Sequence, residues 1–426
     1  GRGETRGYAM DEGTNEEGIE SMEGMDEEDM DQIDTPSTST AGVGRISIPS
    51  LSRFDLRTTR LKWKEKLSNA WNNVKYNARW MSVSEYDEST VVLLSRPYSF
   101  FGRESDRVDS FSQFVSDYRS RIWITYRTGF PPFPSTSLTS DCGWGCTLRS
   151  AQMMLAQSLV LTHLGRGWRL KEETGKEGEL ECTEEDVLHR QIISLFIDSP
   201  DAPLSLLSIL PTTQPTSSPP YGSWFSPSQA AHILRKGLSN SCSVLTCGME
   251  MEVVMDGRVD MEYLEMRTMH WTRRLLLVVC IRAGLHSINE AYYPHLKHIL
   301  HQSSSVGFIG GKTNRSVYIV GFTNNELIYL DPHLAQPHAD IPVLSSFHSS
   351  HLSKCSFSNM DPSCALGWLF SSKEELVEAF RYLNLQGVID MEEGEGISRR
   401  NEFPLFTLFT HSPPTFDHID YSDNGF

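Results

Sequence analysis

The chain has 426 residues and a formal net charge of −17 at pH 7. That length accommodates one catalytic domain together with additional segments. The acidic balance leaves no basic footprint for DNA or RNA, so we expect no nucleic-acid partner.

The acidic charge is concentrated at the start of the chain. Residues 1–34 contain 13 acidic and 2 basic residues, and residues 1–58 show no apolar periodicity. Such a segment buries too little apolar surface to offset the entropy lost on ordering. We therefore expect a disordered acidic tail at 1–58, with a regulatory role as the open alternative. One domain of ordinary size follows at 59–410, and a second disordered tail is expected at 411–426.

Cysteine usage bears on the compartment. The eight cysteines are scattered along the chain, and no apolar run approaches the length of a membrane span. This pattern favours a soluble protein of a reducing compartment over a disulfide-bonded scaffold. We expect a cytoplasmic location.

The first predicted elements lead toward a cysteine-containing loop. Apolar and aromatic residues at helical spacing between Trp63 and Val74 indicate a helix, and residues 89–94 indicate a strand. A second helix is predicted by the stripe Phe111, Phe114, Tyr118 and Ile122, with the prolines after Phe130 ending it. From the residues alone, Tyr126 is more typical of the core than of an oxyanion site.

Cys146 opens the most informative stretch of the sequence. It follows a Gly143-Trp144-Gly145 kink and begins a helical pattern that continues to Gly165. At the first turn of a helix, unpaired N–H groups and the helix dipole stabilise a thiolate. We expect the two glycines to permit a tight turn and a close approach to substrate. An inert buried cysteine is one alternative, and a zinc site combining Cys142, Cys146 and a histidine is another.

Three later segments have distinct signals. Ser226-Pro227 predicts a helix start and Gly237 a helix end. The run from Leu275 to Cys280 predicts a central strand buried on both faces. Residues 307–313 are similar to a phosphate-binding loop, but the spacing is one residue short and a strand follows at once. We expect a glycine-rich surface loop there instead.

A predicted hairpin ends in Asp331-Pro332-His333. In extended chain, residues two apart point to the same side, so Asp331 and His333 would emerge next to each other. An acid in that place orients a histidine that accepts a proton from a thiol. A turn that merely ends the strand is the alternative.

Several motifs together resemble one protease family, the autophagins. The resemblance runs from about Lys62 to Phe409, and the C and D vertebrate paralogues are the most similar because of Cys142 and the segment 70–76. The motifs that carry it are Ala70-Trp-Asn-Asn-Val-Lys-Tyr76, Arg121-Ile-Trp-Ile-Thr-Tyr-Arg127, Ser140-Asp-Cys-Gly-Trp-Gly-Cys146, Ile309-Gly-Gly-Lys312, Leu327-Ile-Tyr-Leu-Asp-Pro-His333, Met360-Asp-Pro-Ser-Cys364 and Phe403-Pro-Leu-Phe-Thr407.

The resemblance implies a fold and an activity. The fold is α+β, a papain-like cysteine protease core with a small added α/β domain. The activity is that of a cysteine endopeptidase with a Cys-His-Asp triad that needs no metal and no cofactor. Its partners are ubiquitin-like autophagy modifiers of the GABARAP type, which are cleaved after a C-terminal glycine and released from phosphatidylethanolamine. Contact with a membrane surface is transient and occurs through the lipidated substrate.

The resemblance also implies roles for individual residues. Cys146 is the nucleophile, His333 the base, Asp331 the orienting acid and Tyr126 the tyrosine beside the oxyanion. Trp224 and the segment Gly310, Gly311, Lys312, Thr313 and Asn314 close over the cleft and exclude residues larger than glycine. Phe416 and Ile419 form a motif that adds a strand to the modifier's sheet.

A binding function without efficient cleavage is the alternative to the protease. The long acidic tail, together with Thr313 where the family commonly has proline, motivates an autoinhibited or weakly active binding module for the same modifiers.

Overall fold

The computed structural model of the chain describes residues 90–171, 183–212, 221–312, 315–324, 326–338, 341, 343–349, 351–393, 396–399 and 401–410. The predicted tails at 1–58 and 411–426, the helix between Trp63 and Val74, and the site candidates Thr313, Asn314, Phe416 and Ile419 lie outside these residues. Across the described ranges, no helix combines the length and the apolar composition of a membrane span.

Among the described residues, a nine-stranded sheet forms the centre of the fold. Its main path runs β11-β9-β8-β7-β12-β6-β4, with β1 paired to β8 and β2 paired to β1. Neighbours are antiparallel except β4 and β6. A two-stranded sheet joins β3 to β10, and a four-stranded sheet has the order β14-β13-β15-β5. The strands are β1 (Thr90–Leu93), β2 (Arg96–Ser99), β3 (Tyr126–Thr128), β4 (Met249–Val254), β5 (Arg258–Asp260), β6 (Arg274–Arg282), β7 (Ser305–Lys312), β8 (Arg315–Thr323), β9 (Glu326–Leu330), β10 (Ala335–Pro337), β11 (Ser353–Ser356), β12 (Ser363–Phe370), β13 (Asp390–Glu393), β14 (Gly396–Arg399) and β15 (Thr407–Phe409).

The helices cover both faces of this sheet. Helix α2 is the central one, because every residue from Cys146 to Val160 is buried. It packs against β7, β8 and α5. The helices are α1 (Glu104–Arg119), α2 (Cys146–His163), α3 (Glu184–Ser194), α4 (Leu206–Ile209), α5 (Pro227–Asn240), α6 (Met261–Arg267), α7 (Tyr293–Leu300) and α8 (Lys373–Leu385).

The large sheet separates two hydrophobic cores. Along β6, Leu276 and Val278 face the core that contains α2, while Leu275, Leu277 and Val279 face a second core closed by α7 and α8. Each such side chain stabilises the fold by about 1.5–3 kcal/mol through removal from water. The predicted central strand buried on both faces is thus confirmed, as is the α+β class.

Several boundaries were predicted correctly from local signals. Helix α2 begins at Cys146, and Gly165 follows its end with φ +79°. Helix α5 begins after Ser226, whose hydroxyl accepts from the N–H of Gln229 while the Gln229 side chain accepts from the Ser226 N–H. This reciprocal capping satisfies two N–H groups that the helix itself leaves unpaired.

Two glycine-based predictions are wrong. Helix α5 does not end at Gly237 but continues to Asn240, and a Cβ at Gly237 would lie 2.5 Å from Ile209 Cγ2. Residues 305–312 form the buried strand β7 and not a surface loop. A Cβ at Gly307 would lie 2.2 Å from the carbonyl oxygen of Ile319 on β8. In both places glycine permits close packing between two elements. The predictions assume instead that each glycine marks a loop or a helix end.

The path from α1 to the cysteine loop also differs from the prediction. Helix α1 ends at Arg119, well before the prolines, and Tyr126 lies on β3. The chain between α1 and β3 is not helical because its backbone pairs with a distant segment. The N–H of Trp123 donates to the carbonyl of Phe347 at 2.8 Å.

Candidate active site

The site is built on the first turn of α2. Gly145 precedes the helix, Cys146 is its first residue, and the first turn carries no acidic side chain. Gly143, with φ +86°, reverses the chain just before it. Such a backbone conformation favours glycine. The Cys146 sulfur therefore lies where the positive end of a helix dipole favours a thiolate.

Asp331 and His333 meet through a turn and not along an extended strand. Strand β9 ends at Leu330. One carboxylate oxygen of Asp331 accepts both the backbone N–H of His333, at 3.0 Å, and the ring Nδ1–H, at 2.5 Å. An aspartate that binds the backbone two residues ahead forms a common type of turn. A turn after β9 therefore brings Asp331 and His333 together. The extended geometry predicted for these two residues is wrong.

This turn is anchored to the chain segment that leads into β3. The Trp123 indole N–H donates to the Asp331 carbonyl at 2.6 Å. The Tyr126 N–H donates to the Pro332 carbonyl at 2.9 Å, and beyond the turn β10 pairs in parallel with β3. These contacts hold His333 against Tyr126. The centroids of the two rings are 5.4 Å apart, and the ring planes are nearly perpendicular.

Tyr126, Cys146 and Ala335 form a small buried cluster, with Cys142 packed against it. The interaction between the Tyr126 hydroxyl and the Cys146 sulfur contributes to lowering the pKa of the Cys146 thiol. Burial, followed by the nearby charge of Cys146, raises the pKa of Tyr126 well above its ordinary value. The hydroxyl therefore keeps its proton at neutral pH and acts as a donor.

The pKa values of Cys146 and His333 are shifted in opposite directions. Burial raises the pKa of the Cys146 thiol, but the hydrogen bond and positive charge of His333 outweigh it, and the net effect is a lowered pKa. Burial lowers the pKa of His333, but the adjacent Asp331 carboxylate reverses this and raises it to about 9. Asp331 itself has a lowered pKa, because the charge of His333 outweighs its burial. Both shifts act in the direction of a thiolate–imidazolium pair.

Sequence reasoning missed one contributor to this site. The backbone of Ser316, the second residue of β8, helps to lower the pKa of the Cys146 thiol. No side-chain signal could have identified it, because the donor is a main-chain group. Ser316 pairs with Gly311 next to the turn of the β7–β8 hairpin, and Cys146 is 0% exposed.

The remaining candidates occupy different positions. Gly310 and Gly311 lie in β7, next to β8, and Lys312 is exposed at the end of β7. Trp224 is 37% exposed in the segment before α5. Its place over the cleft stays a prediction.

The zinc alternative finds no supporting geometry. Within the part of the chain that the structure describes, no group of three or more His, Cys, Asp or Glu side chains could hold a metal ion. Neither Cys142 nor Cys146 forms a disulfide with another described cysteine.

Comparisons with known proteins agree with this chemistry. A family model described as the peptidase C54 catalytic domain matches residues 111–382. Cysteine protease atg-4.2 of Caenorhabditis elegans is 36% identical, over 91% of this chain and 81% of its own length. Cysteine protease ATG4C of Homo sapiens is 29% identical, over 85% and 93%, respectively. Cysteine protease ATG4D of Xenopus laevis is 33% identical, over 74% and 76%.

Proposed function

Because the chain belongs to the peptidase C54 family, the autophagins, close to its C and D members, and is therefore a cysteine peptidase, we propose that it cleaves ubiquitin-like autophagy modifiers after a C-terminal glycine. The observation that supports this best is the hydrogen bond between the Asp331 carboxylate and His333 Nδ1, which orients a histidine that lowers the pKa of the Cys146 thiol at the start of α2. In the proposal the protein works in the cytoplasm, on modifiers of the GABARAP type.

The proposed reaction begins with attack of the Cys146 thiolate on the carbonyl carbon of the terminal glycine. In the proposal the Cys146 N–H and the Tyr126 hydroxyl donate hydrogen bonds to the developing oxyanion. His333 gives its Nε2 proton to the departing amine, leaving a thioester and a neutral imidazole. The imidazole then takes a proton from water, which attacks the thioester and regenerates the thiolate.

The same site would also release the modifier from phosphatidylethanolamine. In that conjugate the glycine carbonyl forms an amide with the ethanolamine nitrogen, so the bond broken is of the same type. His333 would protonate the lipid amine in place of a peptide nitrogen. Contact with the membrane surface then follows from the substrate and requires no membrane-spanning element.

Selectivity for glycine is proposed to come from a narrow cleft. Trp224 on one side and Gly310, Gly311 and Lys312 on the other would bound it, joined by Thr313 and Asn314. A slot too narrow for a side chain admits glycine and excludes larger residues by steric clash. Phe416 and Ile419 would add a second contact to the modifier's sheet.

Cys146→Ala tests the proposal directly. The variant should bind a modifier that carries extra residues after its terminal glycine but should not cleave it, because no nucleophile remains. The measurement is gel analysis of cleavage alongside a binding titration. Wild-type turnover by this variant would remove Cys146 from the mechanism.

The alternative of an autoinhibited or weakly active binding module is favoured by one observation, the complete burial of the Cys146 sulfur. Comparing the full chain with a chain that begins at residue 59 separates the two functions. Cleavage by both forms indicates a protease that does not need its acidic tail, and cleavage only by the shortened form indicates inhibition by the tail. Binding without cleavage by either form would favour the binding module.

A further inference from the structure

A buried ion cluster lies beneath the start of α2 and takes no part in the reaction described above. Its members are Asp141 in the loop before α2, Arg149 in the second turn of that helix, and Asp198 in the chain after α3. Asp141 and Arg149 are 0% exposed and Asp198 is 4% exposed. Burying a charged group raises the free energy of the folded state unless the group has partners of opposite charge or hydrogen-bond partners.

Within the cluster, Asp141 binds two elements at once. Its carboxylate accepts from Arg149 Nε at 2.7 Å and from an Arg149 terminal nitrogen at 3.1 Å. One of its oxygens also accepts the backbone N–H of Arg127 on β3 at 2.7 Å. A planar guanidinium that meets a carboxylate through two nitrogens fixes orientation as well as distance. The single carboxylate therefore sets α2 against β3.

The two elements that Asp141 joins carry the two ends of the proposed reaction site. Helix α2 begins with Cys146, and β3 begins with Tyr126, the residue next to Arg127. The Tyr126 N–H in turn holds the Pro332 carbonyl, between Asp331 and His333. A displacement of Asp141 would thus alter the position of the sulfur relative to both Tyr126 and His333.

Gly145 shows how closely the loop is built around this carboxylate. A Cβ at Gly145 would lie 2.4 Å from Asp141 Oδ2 and 2.7 Å from its Cβ. The backbone of Gly145 has φ −85° and ψ −2°, a conformation open to any residue. The requirement for glycine before Cys146 therefore comes from Asp141 and not from the backbone.

We propose that Asp141 is a positioning residue, whose carboxylate holds the Cys146 end of α2 at the distance from Tyr126 and His333 that catalysis needs. This inference rests on the proposed role of Cys146 as the nucleophile. Asp141 does not touch the sulfur in this role and acts through Arg149, Arg127 and the loop. Asp198, 3.0 Å from Arg149, supplies the guanidinium with a second carboxylate.

Two variants test the proposal from opposite directions. Asp141→Asn removes the charge and the acceptor for Arg149 Nε but leaves Arg149 paired with Asp198. Gly145→Ala keeps the charge and displaces the carboxylate. The matched controls are Asp117→Asn, which alters another fully buried carboxylate that pairs with a buried arginine, and Gly167→Ala, where a Cβ meets no atom within 4 Å.

The main measurement is the pH dependence of Cys146 alkylation by iodoacetamide, followed by mass spectrometry of the peptide that contains it. Both variants should move the midpoint upward by about one pH unit, because contacts that stabilise the thiolate are disturbed. They should lower kcat by about 10- to 100-fold and leave KM within about twofold. The two controls should keep the wild-type midpoint.

The direction of the shift distinguishes positioning from simple electrostatics. Removing a negative charge near a thiol by itself lowers the thiol pKa, so a downward shift in Asp141→Asn would overturn the proposal. An unchanged midpoint and kcat in both variants, with only a lower melting temperature, would also overturn it, as the cluster would then serve stability alone. If Asp141→Asn does not fold, Gly145→Ala decides by the same criteria.

Failure of the proposed function would look different. Alkylation needs no protein substrate, so the midpoint can be measured even if the wild-type protein cleaves no modifier. An upward shift in both variants, without any modifier cleavage by the wild type, would contradict the proposed function and still support the positioning role.

Discussion

Replacing Asp331 with asparagine removes the charge that keeps His333 protonated. The Asp331 carboxylate, with a further contribution from Cys146, raises the pKa of His333 to about 9 from an ordinary 6.5, against the effect of burial. That difference corresponds to roughly 3 kcal/mol in favour of the imidazolium. Without it, burial favours the neutral ring, and the Cys146 thiolate loses its positive partner.

The expected consequence is a large loss of turnover. The thiolate fraction at neutral pH falls, and the amide of asparagine no longer specifies which ring nitrogen carries the proton. We expect kcat to fall by about 10²- to 10⁴-fold with a much smaller change in KM. The measurement is the initial rate of modifier cleavage between about pH 5 and about pH 10, together with the alkylation midpoint of Cys146.

A matched control separates this effect from general loss of stability. Asp390 is equally buried, 7% exposed, and one of its carboxylate oxygens accepts a backbone N–H, from Asn401 at 2.9 Å. It lies on β13 in the four-stranded sheet. Asp390→Asn should keep the wild-type alkylation midpoint. Wild-type kcat in Asp331→Asn, or an equal loss in the Asp390 control, would refute the reasoning.

Three further predictions concern other buried groups. Tyr126→Phe should lower kcat by about 10- to 100-fold with little change in melting temperature, since it removes one oxyanion donor; equal kcat would exclude the hydroxyl from the reaction. Burial lowers the pKa of His189 to about 3 and of His348 to about 4, so unfolding becomes easier as pH falls below about 6.5, where only the unfolded chain gains these protons. The urea midpoint of His189→Leu should therefore depend less steeply on pH between about 6.5 and about 4 than that of the wild type, and equal slopes would contradict this. Gly307→Ala should lower the melting temperature because φ is +82° in a buried strand, whereas an unchanged value would favour the surface loop predicted from sequence.

Much of the local structure could be predicted because its causes are short-range. The start of α2 at Cys146 follows from a glycine kink and an apolar repeat within about five turns of helix. The start of α5 follows from Ser226 and its capping chemistry. The buried strand β6 follows from an uninterrupted run of Leu and Val, which only a sheet covered on both faces accommodates.

The glycines mark the limit of such reasoning. A glycine can serve a turn, a left-handed backbone or a close contact between elements, and the residue type alone does not tell which. Gly237 and Gly307 proved to be contacts, with Ile209 and with Ile319, respectively. Each partner lies on a different helix or strand from its glycine, so the pattern within one element did not indicate the contact.

The sequence by itself determined which residues we propose for the chemistry, because a thiol at a helix start and an acid two residues from a histidine are local patterns of residue type. Only the tertiary structure decided how they meet. The Trp123 indole N–H donates to the Asp331 carbonyl, 208 residues away in the chain. The Ser316 backbone helps to lower the pKa of the Cys146 thiol. The Asp141 carboxylate accepts hydrogen bonds from both α2 and β3. These contacts depend on main-chain donors and on buried charges from separate elements, whose proximity arises only when the sheet and its helices pack together.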